Sequence, residues 1–303
     1  MFLSEILERD EAGFSVEYVL KGEKEFDTLA LLASEVELRI CTFLDSEKYI
    51  DSIKANVQML ITTKEIADKI TNKNIGLCIV EKPRILFFRL HNFLAKNKKY
   101  TREKFATRIG TGCKISDKAV IADNNVIIGN NVTIEEFVVI RENTKIGDNT
   151  TIRAGARIGG EGFEFKRNDG RIEPVIHLGG VKIGSHVEIQ YNTCIDKAVY
   201  PWDDTMLGNY TKVDNLVHIG HAVKIADCVM VVAQSGVGGR TIIDSDTWIG
   251  FAATITNGIH IGREARANIG CVVTKDIEEK ASVTGNFAID HRKFIENLKR
   301  DSK

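Results

Sequence analysis

The chain has 303 residues, 43% of them hydrophobic, and 41 basic side chains stand against 42 acidic ones for a formal net charge of −1 at pH 7. So balanced a charge gives no global field to gather nucleic acid or an anionic membrane. No apolar run approaches the roughly 18 residues of a membrane span. The length leaves room for two proper cores, and the expectation is a cytoplasmic enzyme.

The first residues, MFLSEILERDEAGF, carry acids where a secretory signal carries bases. Up to about residue 100 the pattern is mixed α/β: VELRICTFL (36–44), VQMLITT (57–63) and IGLCIVE (75–81) read as short buried strands. Helical patterns fall at 46–55 and 64–71, and Pro83 opens a helix through ILFFRLHNFLAK. KNKKYTREKF (96–105) is charged and without apolar rhythm, as a solvated connector would be. Six cysteines (Cys41, Cys78, Cys113, Cys194, Cys228, Cys271) show no CxxC spacing. They read as reduced, space-filling thiols, and no metal site is expected from them.

From about Ile109 to about Val273 a strict period of six takes over. Ile128, Ile134, Ile140, Ile146, Ile152 and Ile158 begin it, and an unbroken run leads from Leu207 and Val213 through Ile219 to Ile261. Neither the helix period nor strand alternation requires a six. The pattern fits very short strands joined by tight turns, three repeats to a triangular coil, with small residues such as Thr150, Ala156 and Ala253 two places before a rung. Two segments break the register, 159–180 and 197–204, and must loop out. The tail, 287–303, reads as one amphipathic helix with Phe287, Phe294, Ile295 and Leu298 on its apolar stripe and Arg292, Lys293, Lys299 and Arg300 opposite. Three parts follow: an α/β domain over 1–100, a β-solenoid over 101–286, and the terminal helix.

The solenoid resembles the left-handed parallel β-helix of hexapeptide-repeat acyltransferases. YTKVDNLVHIGHAVKIADCVMVVAQSGVGG (210–239), with GGEGFEF, the DDT at 203–205 and Asp214–Asn215, is similar to the UDP-3-O-acylglucosamine N-acyltransferases of lipid A synthesis. TFLDSEKYIDSIKANVQMLITT resembles that family's uridine-binding domain, so the likeness runs through both parts of the chain.

The resemblance implies a reaction: an acyl group passes from a carrier-protein or CoA thioester to the amine of a UDP-linked amino sugar, in a homotrimer and without a resident cofactor or metal. Such chemistry needs a base for the amine and a donor for the tetrahedral oxyanion. His221, in IGHA, matches the family's catalytic histidine. A coil holds eighteen residues, so Gly239 stacks on His221, and its N–H suits the oxyanion. Gly236 and Gly238 are assigned to the thioester donor, while Gly236, Gly238 and Gly239 read equally as simple turn glycines. Asp214 either polarises the histidine across a subunit junction or caps a turn. His218 either contacts substrate or packs at an interface, and Asn215 is grouped with it on the substrate side. Phe43 and Tyr49 take the positions that sandwich the uracil, although a strand phenylalanine is otherwise core. Arg292 and Lys293 on the tail offer cations to an acidic carrier protein or to CoA phosphates.

The chain departs from the family in several places. Ser46 and Glu47 replace an Asn-Pro pair, and Ala222 replaces the asparagine after the catalytic histidine. Gly258 stands where a second histidine is common, with His260 displaced by two. The ending looks more like that of CoA-dependent sugar acetyltransferases. Two other readings therefore stand beside the first: acetyl-CoA-dependent N-acetylation of a nucleotide-linked deoxyamino sugar, and a non-catalytic binding solenoid.

Overall fold

The structure is a computed structural model and describes residues 1–8, 14, 16–285 and 288–301. The chain forms two compact units, and no single cut separates them: residues 1–105, 161–179 and 198–203 make the first, and 106–160, 180–197 and 204–303 the second. Both solenoid interruptions therefore belong to the N-terminal unit.

In that unit four parallel strands, Thr28–Leu29, Ile40–Leu44, Val57–Thr62 and Gly76–Ile79, lie side by side, with antiparallel Val19–Lys21 beyond the last. Val19–Lys21 and Thr28–Leu29 are too short to carry a readable alternation. The helix expected at 46–55 is a 3-10 turn, Glu47–Ser52, and that at 64–71 is one turn, Lys64–Ala67. Helix Pro83–Leu94 starts on its proline, whose fixed φ and missing N–H suit a first turn. Its Leu86, Phe87 and Leu90 pack with Leu29, Met59 and Ile61 in one core, and Val175, Val199 and Tyr200 from the two insertions enter the same cluster. Burying each such side chain contributes about 1.5–3 kcal/mol, so the insertions are structural members and not loose loops. The first folds as a hairpin, Phe165–Asn168 against Arg171–Pro174, pinned by Arg89 to Glu173 at 2.5 Å. The second is held where Arg102 donates to the carbonyls of Pro201 and Asp203, 2.7 Å each. The 96–105 segment is thus no solvated connector, for Tyr100 is buried and bonds His91 Nδ1 at 2.8 Å.

The second unit is a parallel β-helix with three sheets of 8, 9 and 8 strands, each strand pairing with its counterpart one coil away. On the first face Leu207, Ile225, Ile243 and Ile261 stack in register; on the second, Val213, Val231 and Ile249; on the third, Ile219, Val237, Ile255 and Val273. All of these rungs are buried. Three residues after a rung the backbone turns through a left-handed residue: Leu216, Ala222, Cys228, Gln234 and Arg240 have φ of 57–61°. For a residue with a Cβ this costs roughly 1–2 kcal/mol. Each rung contributes about 1.5–3 kcal/mol by burial, so the repeat tolerates strained turns. The helix begins at Arg108–Ile109 and runs past Val273, adding rungs Ile277 and Val283. The terminal helix is His291–Asp301. Asp290 accepts the N–H groups of Arg292 and Lys293 and caps it there, four residues later than expected. Phe287 lies outside the described residues.

Candidate active site

His221 stands where the chain turns from the third face to the first, between strands His218–Ile219 and Lys224–Ile225. At the same edge of the two preceding coils the chain leaves the helix, between Gly160 and Gly180 and again between Lys197 and Asp204. That edge is therefore the only part of the described helix interrupted by insertions.

The imidazole lies against Gly239 of the next coil. A Cβ built on Gly239 would fall 2.7, 2.8 and 3.0 Å from Nε2, Cε1 and Cδ2 of His221, so only a glycine admits the ring in this position. Gly220 is also required: its Cβ would sit 2.8 Å from the nitrogen of Gly239 and obstruct that N–H. At several corners the N–H two residues past a rung is capped by a side chain from a neighbouring coil. Asp227 caps Asn209 at 2.6 Å, Asn209 caps Ser185 at 2.8 Å and Asp214 caps Ala233 at 3.1 Å. The Gly239 N–H has no such cap among the described residues, while its carbonyl accepts from Gly258 at 3.0 Å. The edge thus holds an imidazole beside an open backbone donor, which is what acyl transfer to an amine requires.

Three residues that sequence reasoning did not assign build the surroundings. Buried Thr205 donates to the carbonyl of Asp196 at 2.6 Å and accepts the N–H of Ala222 at 2.8 Å, tying the turn after His221 to the preceding coil. Asp196 is itself buried, with Oδ2 3.7 Å from Nε2 of exposed His218. Gly220 is the third. Thr205 belongs to the DDT run, but only stacking across the broken register reveals its contacts. Burial raises the pKa of the neighbouring Cys194 thiol, and the charge of Asp196 adds to the effect.

The other candidates are scattered. Asp214 lies at the second-to-third edge, its carboxylate accepting the N–H groups of Asn215 at 2.7 Å and Ala233 at 3.1 Å, the work of a turn cap. Asn215 caps Tyr191 at 3.1 Å. Gly236 pairs with His218 on the third face and leaves open space beside it; a Cβ on Gly238 would collide with Asn257 N at 2.5 Å. His260 bonds Asp244 at 2.9 Å. Arg292 and Lys293 are exposed on the terminal helix.

In the N-terminal unit, half-buried Phe43 touches Phe87 and Phe88 with centroids at 5.0 and 6.0 Å, and the Arg84 guanidinium lies 5.4 Å from its ring. Tyr49 is exposed, with the Lys48 ammonium 4.6 Å from its ring centre. A cleft of about 480 Å³ lined by Asp45, Thr63, Lys82, Arg84 and Arg167 opens at the carboxyl ends of the parallel strands, where open α/β sheets commonly hold ligands.

Residues 125–160 match the bacterial transferase hexapeptide family, a model of six repeats. That stretch of the helix is thus a run of hexapeptide repeats. It is 32% identical over 137 residues to a UDP-3-O-acylglucosamine N-acyltransferase of Delftia acidovorans, covering 45% of this chain and 40% of that one. Over 92 residues it is 46% identical to the enzyme of the same name from Rickettsia akari, covering 30% and 26%. It therefore spans less than half the length of these relatives in alignment. Among solved structures, a UDP-N-acetylglucosamine acyltransferase of Francisella novicida superposes with a TM-score of 0.50 at 26% identity, covering 64% of this chain and 71% of that one. An Arabidopsis protein of the same name superposes equally well at 21% identity and speaks to fold alone. The fold is the left-handed parallel β-helix expected from the sequence.

Proposed function

We propose that the protein is an N-acyltransferase that moves an acyl group from an acyl carrier protein thioester to the amine of a UDP-linked glucosamine derivative, as in lipid A synthesis. The observation that carries the reading is the His221 imidazole seated on Gly239 beside an uncapped backbone N–H. His221 takes the proton that the amine nitrogen loses as its lone pair attacks the thioester carbon. The Gly239 N–H holds the oxygen that gains charge. Collapse breaks the carbon–sulfur bond, and the imidazolium returns the proton to sulfur. A base contributes about 10²–10⁴-fold and an oxyanion donor about 10²–10³-fold, so the reading needs no metal or cofactor.

The names of the relatives support a UDP-sugar acceptor. Phe43, Tyr49 and the cleft beside Asp45 and Arg84 support uridine binding in the first unit. Arg292, Lys293, Lys299 and Arg300 on the terminal helix supply cations for an acidic carrier protein. The proposal extends to a homotrimer in the cytoplasm, since solenoid faces with exposed Met206, Met230, Ile242 and Val272 would be covered by threefold copies. The test is mass spectrometry of products from a panel of UDP-amino sugars, offered acyl carrier protein and acetyl-CoA donors. A long-chain N-acyl product that disappears in His221→Ala is expected. Turnover with acetyl-CoA alone would move the assignment to sugar acetylation, and wild-type turnover retained in His221→Ala would remove His221 as the base.

A further inference from the structure

We infer that Lys145 and Lys182, side by side on the first face of the solenoid, are the subsite for the diphosphate of the acceptor nucleotide. The inference rests on the N-acyl reading and deepens it. Both lysines are exposed and point outward between buried neighbours, Thr144 and Ile146 for the one, Val181 and Ile183 for the other. Their strands pair in parallel register with Lys145 opposite Lys182, so the two stems stand about 4.8 Å apart. Like charges set opposite each other weaken a sheet. Several other cations of the solenoid are engaged. Arg153 meets Glu135 at 2.8 Å and Glu188 at 2.7 Å, Lys212 donates to the His186 carbonyl at 2.7 Å, and Arg157 donates to that of Phe137 at 2.6 Å. Lys145 and Lys182 have no hydrogen-bond or ion-pair partner among the described residues, and Glu142, on the turn before Lys145, forms no ion pair with it. Two neighbouring ammonium groups with an open front suit an anion of two linked charged centres, which a diphosphate is.

The ladder fixes where that front lies. Lys182 pairs with Met206 and Met206 with Lys224, which follows His221 by three residues in the same coil. Lys182 is thus two coils and Lys145 three coils before the histidine, roughly 10 and 14 Å along the axis at about 4.8 Å per strand. Gly239 stacks on the ring from the opposite side, one coil later. A thioester whose oxygen rests on the Gly239 N–H occupies the C-terminal side of His221, so the acceptor extends toward the N-terminal coils. In a UDP-linked 2-amino sugar the amine is four bonds from the nearer phosphorus and six from the farther, roughly 5–7 Å at about 1.2 Å per bond. A lysine stem of five bonds spans about 6 Å on the same measure. Lys182 therefore reaches both phosphates and Lys145 the outer one. They are binding residues: they set where the amine lies relative to His221 and touch no bond that forms or breaks.

Equilibrium binding of UDP, uridine and coenzyme A to the full-length protein reads this subsite without turnover. UDP should bind the wild type more tightly than uridine. The Lys145→Gln, Lys182→Gln double variant should lose about tenfold in UDP affinity, since two exposed charge contacts to phosphate are removed. Its affinity for uridine and coenzyme A should be unchanged, and the salt dependence of UDP binding should flatten. Its melting temperature should hold or rise, because a like-charge pair is gone. In turnover the double variant should raise KM for the UDP-amino sugar and leave kcat near the wild-type value. Unchanged UDP affinity in the double variant overturns the subsite and leaves the N-acyl reading standing. Equal loss of uridine and UDP also overturns it, because phosphate is then not what is read. Loss confined to coenzyme A overturns it by giving the lysines to the donor, and a changed oligomeric state in light scattering does so by giving them to a neighbouring copy. Failure of the wild type to bind UDP overturns both the subsite and the N-acyl reading.

Discussion

Alanine at position 239 is the sharpest perturbation of the proposed chemistry. Its methyl carbon would lie 2.7–3.0 Å from three atoms of the His221 ring, where ordinary contacts are about 3.5–4.0 Å. The overlap, on the order of 0.7–1 Å, has to be relieved by the ring, since Gly239 is fixed in the backbone of a closed coil. Gly239 is not among the positive-φ glycines, so the backbone accepts alanine and stability should hold. A misplacement of about 1 Å costs on the order of 10² in rate, or about 2.7 kcal/mol in the barrier. Gly239→Ala should therefore lower kcat for N-acylation about a hundredfold at an unchanged melting temperature. His221→Ala should lose at least as much. The double variant should be no slower than His221→Ala, since both changes act through one imidazole. Full activity in Gly239→Ala would refute the packing argument. A double variant carrying the product of both losses would show that the methyl group acts on the oxyanion donor and not on the ring.

Other outcomes follow from the same geometry. Thr205→Val keeps the shape but leaves the Ala222 N–H and the Asp196 carbonyl without their hydroxyl; a loss of about 1–3 kcal/mol by denaturant titration is expected, together with reduced turnover. Ile219→Ala removes a fully buried rung beneath the site and should cost about 2–5 kcal/mol, read from the unfolding midpoint. Phe43→Ala and Tyr49→Ala should each weaken UDP binding, by about 0.5–1.5 kcal/mol for lost stacking; unchanged affinity in both would remove the base sandwich. Burial pushes His91 down to about 4 from 6.5, so the folded state resists a proton that the unfolded state accepts. Stability is then complete above pH 6.5 and falls as pH drops toward 4, by about 2 kcal/mol at pH 5. His91→Gln should flatten that acid slope.

The solenoid was legible because its period is stricter than any strand or helix demands, and each rung obeys it for one reason, burial in a narrow prism. His221 and Gly239 were legible together because an eighteen-residue coil converts sequence distance into stacking. The N-terminal unit was less so. Its two flanking strands have two and three residues, and the segment at 96–105 hides its structural role in Tyr100 and Arg102, whose partners lie up to 101 residues away. Asp196 escaped for a related reason. It follows a rung directly before an insertion, where the period that identified every other outward position is lost.

That loss of period is itself informative. A solenoid coil has three edges, and a surface loop placed without constraint would interrupt any of them. Here both departures use the edge that two coils' worth of stacking assigns to His221, and both return through glycine or aspartate into the first face, at Gly180 and Asp204. The departing strands end on Gly160 and Asp196, and the second returning strand begins with Asp204-Thr205. The breaks in the repeat have thus placed a carboxylate, a flanking glycine and a bracing hydroxyl in the coils before the histidine, at positions where a regular repeat would put only turn residues. A repeat specifies a scaffold by uniformity, so chemistry has to enter where uniformity fails. The same logic separates His221 from His260, which sits in an unbroken coil, pairs with Asp244 on the surface and, among the described residues, has no glycine stacked against its ring.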